Sequence, residues 1–408
     1  MSIKENIKSF LLSNIVVSEE RKLGIEEELI IYKNNGSRLP VNKSNEFSAV
    51  DLLEIINRKT SKNGHYTLEP GGQLEWSSPP LKNLNKLNDA IKKHKDTLSN
   101  LLKEYDLRSI SYATDPQFSP EDIELIQDKK YQLMDERFDT SGTMGRWMMR
   151  NSASIQINFD ATGKKELEEM AFIADSLHPV SSFVFSNSPF INNSGVGIKN
   201  MRNSIWENTD KKRCRNLFDH NIYSSSNLLE KYIEYVLKVP AIFKIDKHNN
   251  LKKSDKTINL ELEFLKEQNR LTPQNIKFYL QQIFTNVRLK NVLEVRGADR
   301  TPFGFELAPV AFWTGLLTDE KTKEIVLSEI NKWTFEDRKI FNIASLQLDD
   351  SQQGPMGNSY NYWNKWAIDL AIKGLKNRGK GEETYLEKFT NRIKDKGPFT
   401  LQLQNNES

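Results

Sequence analysis

The chain has 408 residues, of which 37% are hydrophobic, 10% aromatic and 28% charged. This aromatic content excludes an intrinsically disordered chain, and the length is sufficient for one large domain with a sizeable core. The 58 Lys and Arg residues nearly balance the 55 Asp and Glu residues, which leaves a net charge of +3. So small a net charge argues against a dedicated nucleic-acid-binding protein, and no nucleic-acid partner is expected.

The cysteine count and the lengths of the apolar runs indicate the cellular compartment. The single cysteine, Cys214, excludes an intrachain disulfide and a thiolate metal cluster, so we expect a cytoplasmic protein. We expect Cys214 on the surface, where flanking lysines and arginines would lower the pKa of its thiol, and we interpret it as incidental to catalysis. No apolar run approaches the roughly 18 residues of a membrane-spanning helix, so no membrane association is expected.

In chain order, the first predicted element is a short amphipathic helix or loop near the N-terminus. Its apolar residues are interrupted by Ser13-Asn14 and no small-residue cleavage site follows, so it is not interpreted as a targeting signal. Period-two alternation then predicts strands over residues 23–30, 73–77, 152–160 and 287–296. Helical spacing predicts helices over 84–105, 165–177 and 227–238, and from Thr272, where Thr272-Pro273 is typical of an N-cap followed by proline.

Polar segments mark the predicted loops and the end of the domain. Residues 249–255 and 377–383 are rich in glycine or lysine and are predicted loops, and residues 401–408 are predicted to fray. Neither an internal repeat nor a Pro/Ser-rich linker divides the sequence. The prediction is therefore a single catalytic domain over residues 1–395, followed by a polar C-terminal tail over residues 396–408.

Carboxylates on the predicted strands suggest a binding site. Alternation places Glu26 and Glu28 on one face of the first strand and Glu27 on the other. Adjacent carboxylates on one face repel each other unless a cation neutralises them or the face is solvated. A metal site and a solvated edge strand both account for this motif on its own.

Two further segments add acidic residues. A Pro-Gly-Gly turn connects Glu69 to Glu75, and the segment 287–296 places Lys290, Glu294 and Arg296 on one face of a strand. The last of these patterns also fits an ordinary cross-strand ladder of ion pairs. Acidic residues on three separate strands favour a shared site.

Hard oxygen ligands favour Mg²⁺, with Mn²⁺ as the alternative, over zinc. The five histidines are scattered without a close pair, and we expect them to be surface or capping residues. Several carboxylates around a divalent cation with an arginine beside them are the groups needed to hold a triphosphate. A Walker loop and a G-x-G-x-x-G motif are both absent from the sequence, so a nucleotide would be held mainly through metal ions.

These motifs, taken together, resemble those of the plant-type and proteobacterial glutamate–cysteine ligases, which are glutamine-synthetase-like carboxylate–amine ligases. The resemblance covers approximately residues 21–317. It rests on these segments, in family order: Gly24-Ile25-Glu26-Glu27-Glu28, Glu69-Pro70-Gly71-Gly72-Gln73-Leu74-Glu75, Ser154-Ile155-Gln156-Ile157-Asn158, Asn187-Ser188-Pro189-Phe190, Arg202 to Trp206 with Asp210 and Arg213, residues 287–299, and residues 311–317.

The resemblance implies an α+β fold, in which a curved, mainly antiparallel sheet backed by helices forms a funnel-shaped active site. It also implies roles for residues of this sequence. Metal ligands would be Glu26, Glu28, Glu69, Glu75 and Glu294. ATP would be bound by Arg296, Lys290, Gln156 and Asn158, and substrate by Arg146, Ser154, Arg202 and Trp206. Arg296 and Glu75 would be the catalytic residues.

The implied reaction is the ligation of glutamate to cysteine at the expense of ATP, with Mg²⁺ as cofactor. The γ-carboxylate of glutamate would take the γ-phosphoryl group of ATP, and the amine of cysteine would displace phosphate to give γ-glutamylcysteine for glutathione-type thiols. Small-molecule substrates are the expected partners, and the oligomeric state is left open. The chemistry needs charge neutralisation and water exclusion, and no Ser–His or Cys–His nucleophile.

Two departures from the family pattern leave alternatives open. Ala241-Ile242 stands where plant members have an aromatic residue near the cysteine pocket, and Arg300-Thr301 replaces a Gly-Gly pair. A γ-glutamyl ligase with a different amine acceptor is therefore the first alternative. A catalytically inactive binding or regulatory homologue is the second, and a guanidino phosphotransferase of related architecture is the third.

Overall fold

The computed structural model describes residues 1–60 and 63–405. Over these residues the helices are α1 (Ile3–Leu11), α2 (Ala49–Lys59), α3 (Leu84–Glu104), α4 (Lys129–Ser141), α5 (Gly145–Asn151), α6 (Lys164–Ser176), α7 (His178–Val184), α8 (Met201–Glu207), α9 (Leu228–Lys238), α10 (Ile258–Glu267), α11 (Pro273–Leu280), α12 (Leu307–Thr318), α13 (Glu320–Ile330), α14 (Phe335–Ala344), α15 (Tyr360–Asn377), α16 (Glu383–Ile393) and α17 (Phe399–Asn405). The strands are β1 (Leu23–Lys33), β2 (His65–Leu68), β3 (Leu74–Ser77), β4 (Leu107–Ile110), β5 (Ser154–Phe159), β6 (Phe190–Ile191), β7 (Ser194–Gly195), β8 (Phe243–Ile245), β9 (Leu251–Lys253), β10 (Val287–Leu289) and β11 (Leu293–Asp299).

The principal sheet is antiparallel throughout, and β1 lies at its centre. Its strands run in the order β10-β11-β5-β1-β3-β2, and β4 pairs with the far end of β1. In this register Glu28 lies opposite Glu75 on β3, and Glu26 lies opposite Gln156 on β5. The prediction of a mainly antiparallel sheet backed by helices is confirmed, and the solvated edge strand that the sequence also allowed for residues 23–30 is wrong.

Alternation along the strands separates an apolar face from a polar one. Ile25 and Leu29 of β1 and Ile157 of β5 are buried in the main core, on the side of the sheet that the helices cover. Glu26 and Glu28 project to the opposite side, as the period-two pattern predicts. The helices therefore close one side of the sheet, and the acidic residues line the other.

The helical layer is centred on α12, which is buried along its whole length from Leu307 to Leu317. It packs against α15, α16, α13 and α3. Where α12 crosses α15, the backbones of the two helices approach closely at Gly315 and Gly374. A Cβ atom on Gly315 would overlap the Ala371 carbonyl oxygen. None of the described helices is both long and apolar enough to span a membrane.

Local signals set most helix starts as predicted. The Thr272 side chain accepts a hydrogen bond from the Asn275 backbone NH, and α11 begins at Pro273. The helix predicted over 84–105 is α3, whose first turn is capped by Asn83. The amphipathic N-terminal helix is α1, with Ile3 and Ile7 facing the core.

Two predicted elements in the interior of the chain differ from the structure. Residues 287–296 form a hairpin and not one strand: Lys290 NH donates to the Val292 carbonyl at 3.0 Å, and β10 and β11 pair across this turn. Alternating apolar residues on both sides of a tight turn produce the same pattern as one continuous strand. The loop predicted over 249–255 contains β9, which pairs with β8 through backbone contacts that side-chain polarity does not reveal.

The C-terminal segment is ordered, so the prediction that residues 401–405 fray is wrong. Helix α17 packs with Phe399 in the main core, and the Thr400 hydroxyl accepts a hydrogen bond from Ser188 NH at 2.8 Å. Residues 406–408 of the predicted tail lie outside the described residues. The boundary between a domain over 1–395 and a tail over 396–408 stays a prediction.

The α12–α15 crossing gives a test of the helical layer. We expect Gly315→Ala to lower the free energy of unfolding by about 2 kcal/mol or more, because the added methyl group meets rigid backbone. Gly163→Ala is the matched control, since no atom of the described residues lies within 4 Å of the methyl group that alanine would add there. Denaturant unfolding followed by circular dichroism measures both variants, and equal midpoints for the two would contradict this packing.

Candidate active site

A cleft of about 310 Å³ opens on the polar side of the sheet. Its walls combine acidic residues of β1 and β3, the cationic β10–β11 hairpin, and apolar residues from α4, α5 and α8. The lining residues are Glu26, Glu28, Thr67, Glu69, Pro70, Gln73, Glu75, Lys130, Tyr131, Met134, Met148, Ser152, Gln156, Trp206, Gln281, Phe284, Arg288, Lys290 and Arg296.

Three carboxylates converge in this cleft. Glu28 and Glu75 lie opposite each other on paired strands, and Glu69 joins them from the β2–β3 connection. That connection is tight: Gly72 has a φ of 76°, a left-handed conformation that favours glycine, and Gly72 NH donates to the Glu69 carbonyl at 2.9 Å. One carboxylate oxygen from each of the three residues lies within 4.8 Å of the others.

The hydrogen-bond donors around these carboxylates are neutral. Glu28 accepts from Ser154 NH at 2.7 Å and from the Gln156 amide at 2.8 Å. Glu75 accepts from the Thr67 hydroxyl at 2.8 Å. Over the described ranges, none of the three carboxylates has a lysine or arginine nitrogen within 4.0 Å, so their charge is not balanced by an ion pair.

The uncompensated negative charge raises the pKa values of two of these carboxyl groups. Burial, and then the neighbouring charge of Glu28, raise the pKa of Glu69 to about 7. Burial and the charge of Glu69 raise the pKa of Glu75 well above its ordinary value. A divalent cation fits this set, since it would supply the missing positive charge to hard oxygen ligands already close enough to share it.

Arg296 is aimed into the cleft by an irregularity of β11. The register between β11 and β5 shifts by one residue between Val295 and Ala298, which is a β-bulge. Gly297 fits the bulge against the buried ring of His178, where a Cβ atom would clash. The Arg296 guanidinium then donates to the Gln156 amide oxygen, while the amide nitrogen of Gln156 donates to Glu28.

Glu294 lies apart from the three converging carboxylates. It is fully buried and pairs with Arg288, with Lys290 at 2.6 Å and with Arg296 at 3.2 Å. Burial alone would raise the pKa of Glu294, but these three cations hold it well below its ordinary value. At this residue the structure contains the ladder of ion pairs that the sequence left open, and the structure does not bring Glu294 to the carboxylate cluster.

Glu26 is hydrogen-bonded to Asn158, which is not among the residues that line the cleft. The Asn158 amide donates to Glu26 Oε1 at 2.9 Å, and Glu26 lines the cleft without belonging to the group of three converging carboxylates. Ser154 contributes its backbone NH to Glu28 and is itself buried. Through these hydrogen bonds β5 orients the carboxylates of Glu26 and Glu28 on β1.

Trp206 forms the far wall of the cleft between two arginines. The guanidinium carbons of Arg202 and Arg296 lie 5.8 and 5.7 Å from its ring. Arg202 is buried and has Asp299 at 3.7 Å. The indole Nε1 of Trp206 is buried without a hydrogen-bond partner among the described residues.

The structure does not bring Arg146 into the lining of the cleft. Its side chain on α5 is 40% exposed and lies 3.1 Å from Asp139 and 3.8 Å from Asp135 on α4. Its substrate-binding role stays a prediction from the resemblance alone.

Several cleft residues were not predicted. Thr67 lies opposite Glu75 in the β2–β3 hairpin, and pairing the two strands across the Pro-Gly-Gly turn would have identified it. The position of Arg288 could be predicted only from the hairpin between β10 and β11, and the alternating sequence pattern does not show that hairpin. Lys130 and Tyr131 come from α4, a helix that no pattern in the sequence had predicted.

The expectations for cysteine and histidine were partly wrong. Cys214 is fully buried, and burial raises the pKa of its thiol to about 12, so the flanking cations do not activate it. His94 and His178 are also buried, and burial lowers the pKa of His178 to about 3. Adjacent charges in the sequence say little about a side chain that points into the core.

Comparison with known proteins gives concordant results. The sequence profile of "Glutamate-cysteine ligase family 2(GCS2)" matches residues 22–398. Chloroplastic glutamate–cysteine ligase from Arabidopsis thaliana is 28% identical over 83% of this chain and 67% of its own length. The same enzyme from Brassica juncea is 27% identical over 95% of this chain and 77% of its own length.

A solved structure shares the fold. The crystal structure of glutamate–cysteine ligase from Francisella tularensis in complex with AMP aligns with a TM-score of 0.58 at 12% sequence identity. The alignment covers 93% of this chain and 83% of that chain.

The raised pKa of Glu69 predicts a pH-dependent cost of folding. Its pKa rises from 4.5 to about 7 on folding, so the folded state loses stability as pH rises through this window. In EDTA at pH 8 we therefore expect Glu69→Gln to be more stable than the wild type by about 2 kcal/mol, and most of this gain to vanish at pH 5.

Thermal denaturation at the two pH values measures this effect. Glu104→Gln, at an exposed carboxylate paired with Lys59, is the control and should stay within about 0.5 kcal/mol of the wild type. A Glu69→Gln protein less stable than the wild type at pH 8 would contradict the uncompensated charge.

Proposed function

The chain belongs to glutamate–cysteine ligase family 2, and we propose that the cleft described above is where it carries out the family's reaction. The enzyme joins glutamate to cysteine in an ATP-dependent reaction and forms γ-glutamylcysteine. One observation supports placing this reaction in the cleft: the carboxylates of buried Glu28 and of half-buried Glu69 and Glu75 converge in the cleft that Arg296 also lines, without an internal cation among the described residues.

The first step activates glutamate. A carboxylate is a poor acyl donor because oxide is a poor leaving group, so an oxygen of the γ-carboxylate attacks the γ-phosphorus of ATP and ADP leaves. The Arg296 guanidinium, which already faces the cleft, then stabilises the negative charge on the transferring phosphoryl oxygens. Lys290, on the same wall, adds a second positive charge near the phosphates.

Glu28, Glu69 and Glu75 would hold Mg²⁺, or Mn²⁺ in its place. When bound, the cation would balance the charge that the carboxylates and the triphosphate bring together. Glu26 lies beside this set and is proposed as a further ligand. Glu294 is left out, because three protein cations already occupy its oxygens.

The second step forms the amide. The amine of the acceptor attacks the acyl carbon, the bond to the phosphate oxygen breaks, and inorganic phosphate leaves. Met134, Met148 and Phe284 make one side of the cleft apolar, which limits the access of water to the acyl phosphate. We propose that Trp206, through its unpaired Nε1, donates to the glutamate substrate and that Arg202 supports its ring.

An acceptor other than cysteine is the second candidate, and the structure gives it one specific basis. Ala241 and Ile242 do not line the cleft, but Ile242 packs in the apolar cluster that contains Met134 and Met148. The departure from the plant pattern at this position therefore changes a side chain that packs behind Met134 and Met148, which form the apolar wall of the cleft. Its effect on acceptor choice is indirect.

We also propose a cytoplasmic location. The proposal depends on the cysteine content of the sequence, because a chain with one cysteine forms no intrachain disulfide, as is usual in a reducing compartment. The burial of Cys214 does not bear on the compartment, since a buried thiol is protected from oxidation in either environment. The word chloroplastic in the names of the plant relatives describes those proteins.

Removing one converging carboxylate tests the assignment of the cleft. We expect Glu75→Gln to lower the turnover of ATP, glutamate and cysteine by at least about 100-fold, because one ligand charge is lost where phosphate charge must be balanced. The Glu104→Gln control should retain wild-type turnover. ADP release in a coupled assay measures both, and melting curves confirm folding; near-normal turnover of a folded Glu75→Gln enzyme would remove the cleft from the reaction.

A panel of amines tests the acceptor. We expect cysteine to support glutamate-dependent ADP release and a product with the mass of γ-glutamylcysteine. Alanine, serine and 2-aminobutyrate are matched competitors, since they differ from cysteine only in the thiol position. Turnover with one of these amines but not with cysteine would replace the first function by the second, and no turnover with any amine would support an inactive homologue.

A further inference from the structure

We propose that a groove in the helical layer binds a small uncharged molecule that has a cis amide group and an apolar body. The groove is lined mainly by residues of α15 and α16, and we call it the α15–α16 groove. Its volume of about 700 Å³ lies in the range of small-molecule sites, roughly 300–1,000 Å³. It shares no lining residue with the cleft, and the proposed ligation reaction does not use it.

One face of α15 forms a long wall of the α15–α16 groove. Asn364, Ile368 and Ile372 follow one another at intervals of four residues, so they lie on the same face of the helix. Phe183 and Val184 of α7 also line the groove, and both are buried. An apolar lining of this kind favours an apolar body on the bound molecule.

The side chain of Asn364 is the unpaired polar group of this lining. The residue is only 6% exposed, and it is the one buried residue among the described polar residues that line the groove. Its carboxamide makes no hydrogen bond to the residues that the structure describes, and its Oδ1 atom is fully buried. Buried polar groups are rarely left in this state, because the cost of their desolvation is then uncompensated.

The chemistry of a carboxamide determines the group that would satisfy Asn364. Its Oδ1 accepts hydrogen bonds and its Nδ2 donates them, and the two atoms lie side by side in one plane. The N–H and C=O of a cis amide are also side by side, so one such group on a ligand would form two parallel hydrogen bonds with Asn364. A lone hydroxyl or a carboxylate would match this pair less completely.

The charges around the α15–α16 groove favour an uncharged ligand over an ion. The exposed charged residues of its lining have both signs: Lys365, Lys394, Asp350, Asp369 and Asp395. A further lining carboxylate, Glu387, is already paired with Lys376 at 2.9 Å. Neither sign dominates, and exposed charges are solvated and screened by salt, so these residues select neither an anion nor a cation.

The compound 2-quinolone has an apolar bicyclic body and a ring amide that is held cis, and it serves as the probe. By isothermal titration calorimetry we expect saturable binding to the wild type. Binding to Asn364→Leu should be at least about tenfold weaker, because leucine keeps the size of the side chain and removes both hydrogen-bonding groups. Asn331→Leu makes the same change at an exposed position at the end of α13, outside the groove, and should keep wild-type affinity.

Two further measurements separate a binding role of Asn364 from a structural one. The N-methyl derivative of 2-quinolone lacks the amide hydrogen, and it should bind the wild type about tenfold more weakly than the probe does. The melting temperature of Asn364→Leu should equal or exceed that of the wild type, because the variant loses no hydrogen bond of the free protein. A lower melting temperature would show that the carboxamide has a partner in the free protein, and it would overturn the proposal.

The absence of saturable binding to the wild type, up to the solubility of the probe, would overturn the proposal. Equal affinity of the wild type and Asn364→Leu would overturn it as well, and so would equal affinity of the probe and its N-methyl derivative. Loss of the affinity in Arg296→Ala would then assign the probe to the cleft. These results do not depend on the ligase reaction, which the assay of ADP release measures separately.

Discussion

The structure depends on the way a β-sheet accommodates carboxylates of like charge on neighbouring strands. Glu28 and Glu75 are paired across β1 and β3, and Glu69 is held next to both by a tight connection. Like charges in this position destabilise a sheet unless something neutralises them. Here the described polypeptide supplies neutral donors and no cation, so the folded state retains negative charge that a proton, or the divalent cation proposed above, would balance.

The acidic residues of these strands differ in whether a cation of the protein neutralises them. Glu27, one position from Glu28, faces the helices and is neutralised by Arg300. Burial would raise the pKa of Glu27, but Arg300 and His94 hold it at about 2. Glu294 is neutralised by three cations. Glu27 and Glu294 therefore have internal counterions, whereas Glu28, Glu69 and Glu75, over the described ranges, have none, which is the basis for proposing these three as metal ligands.

Strand alternation made part of this site predictable from the sequence. It assigned Glu26 and Glu28 to one face of β1, because the faces of a strand follow from local geometry alone. The expectation that Glu75 shares their site came from the acidic residues on three separate strands and from the family resemblance. Alternation did not identify the internal neutralisation of Glu294, which depends on the turn between β10 and β11, or the position of Arg146 outside the cleft. Tertiary contacts decide such questions, and a repeating apolar pattern continues across a tight turn without a visible break.

Gln156 explains how Arg296 and Glu28 remain separately available in one small cleft. A guanidinium in direct contact with Glu28 would form an ion pair and remove both groups from a bound ligand. The amide of Gln156 lies between them, accepting from Arg296 and donating to Glu28, so each is oriented without being neutralised by the other. A lysine at this position would neutralise Glu28, and a glutamate would add a further repulsion; only a neutral group that both accepts and donates keeps an acidic and a basic wall facing the same substrate.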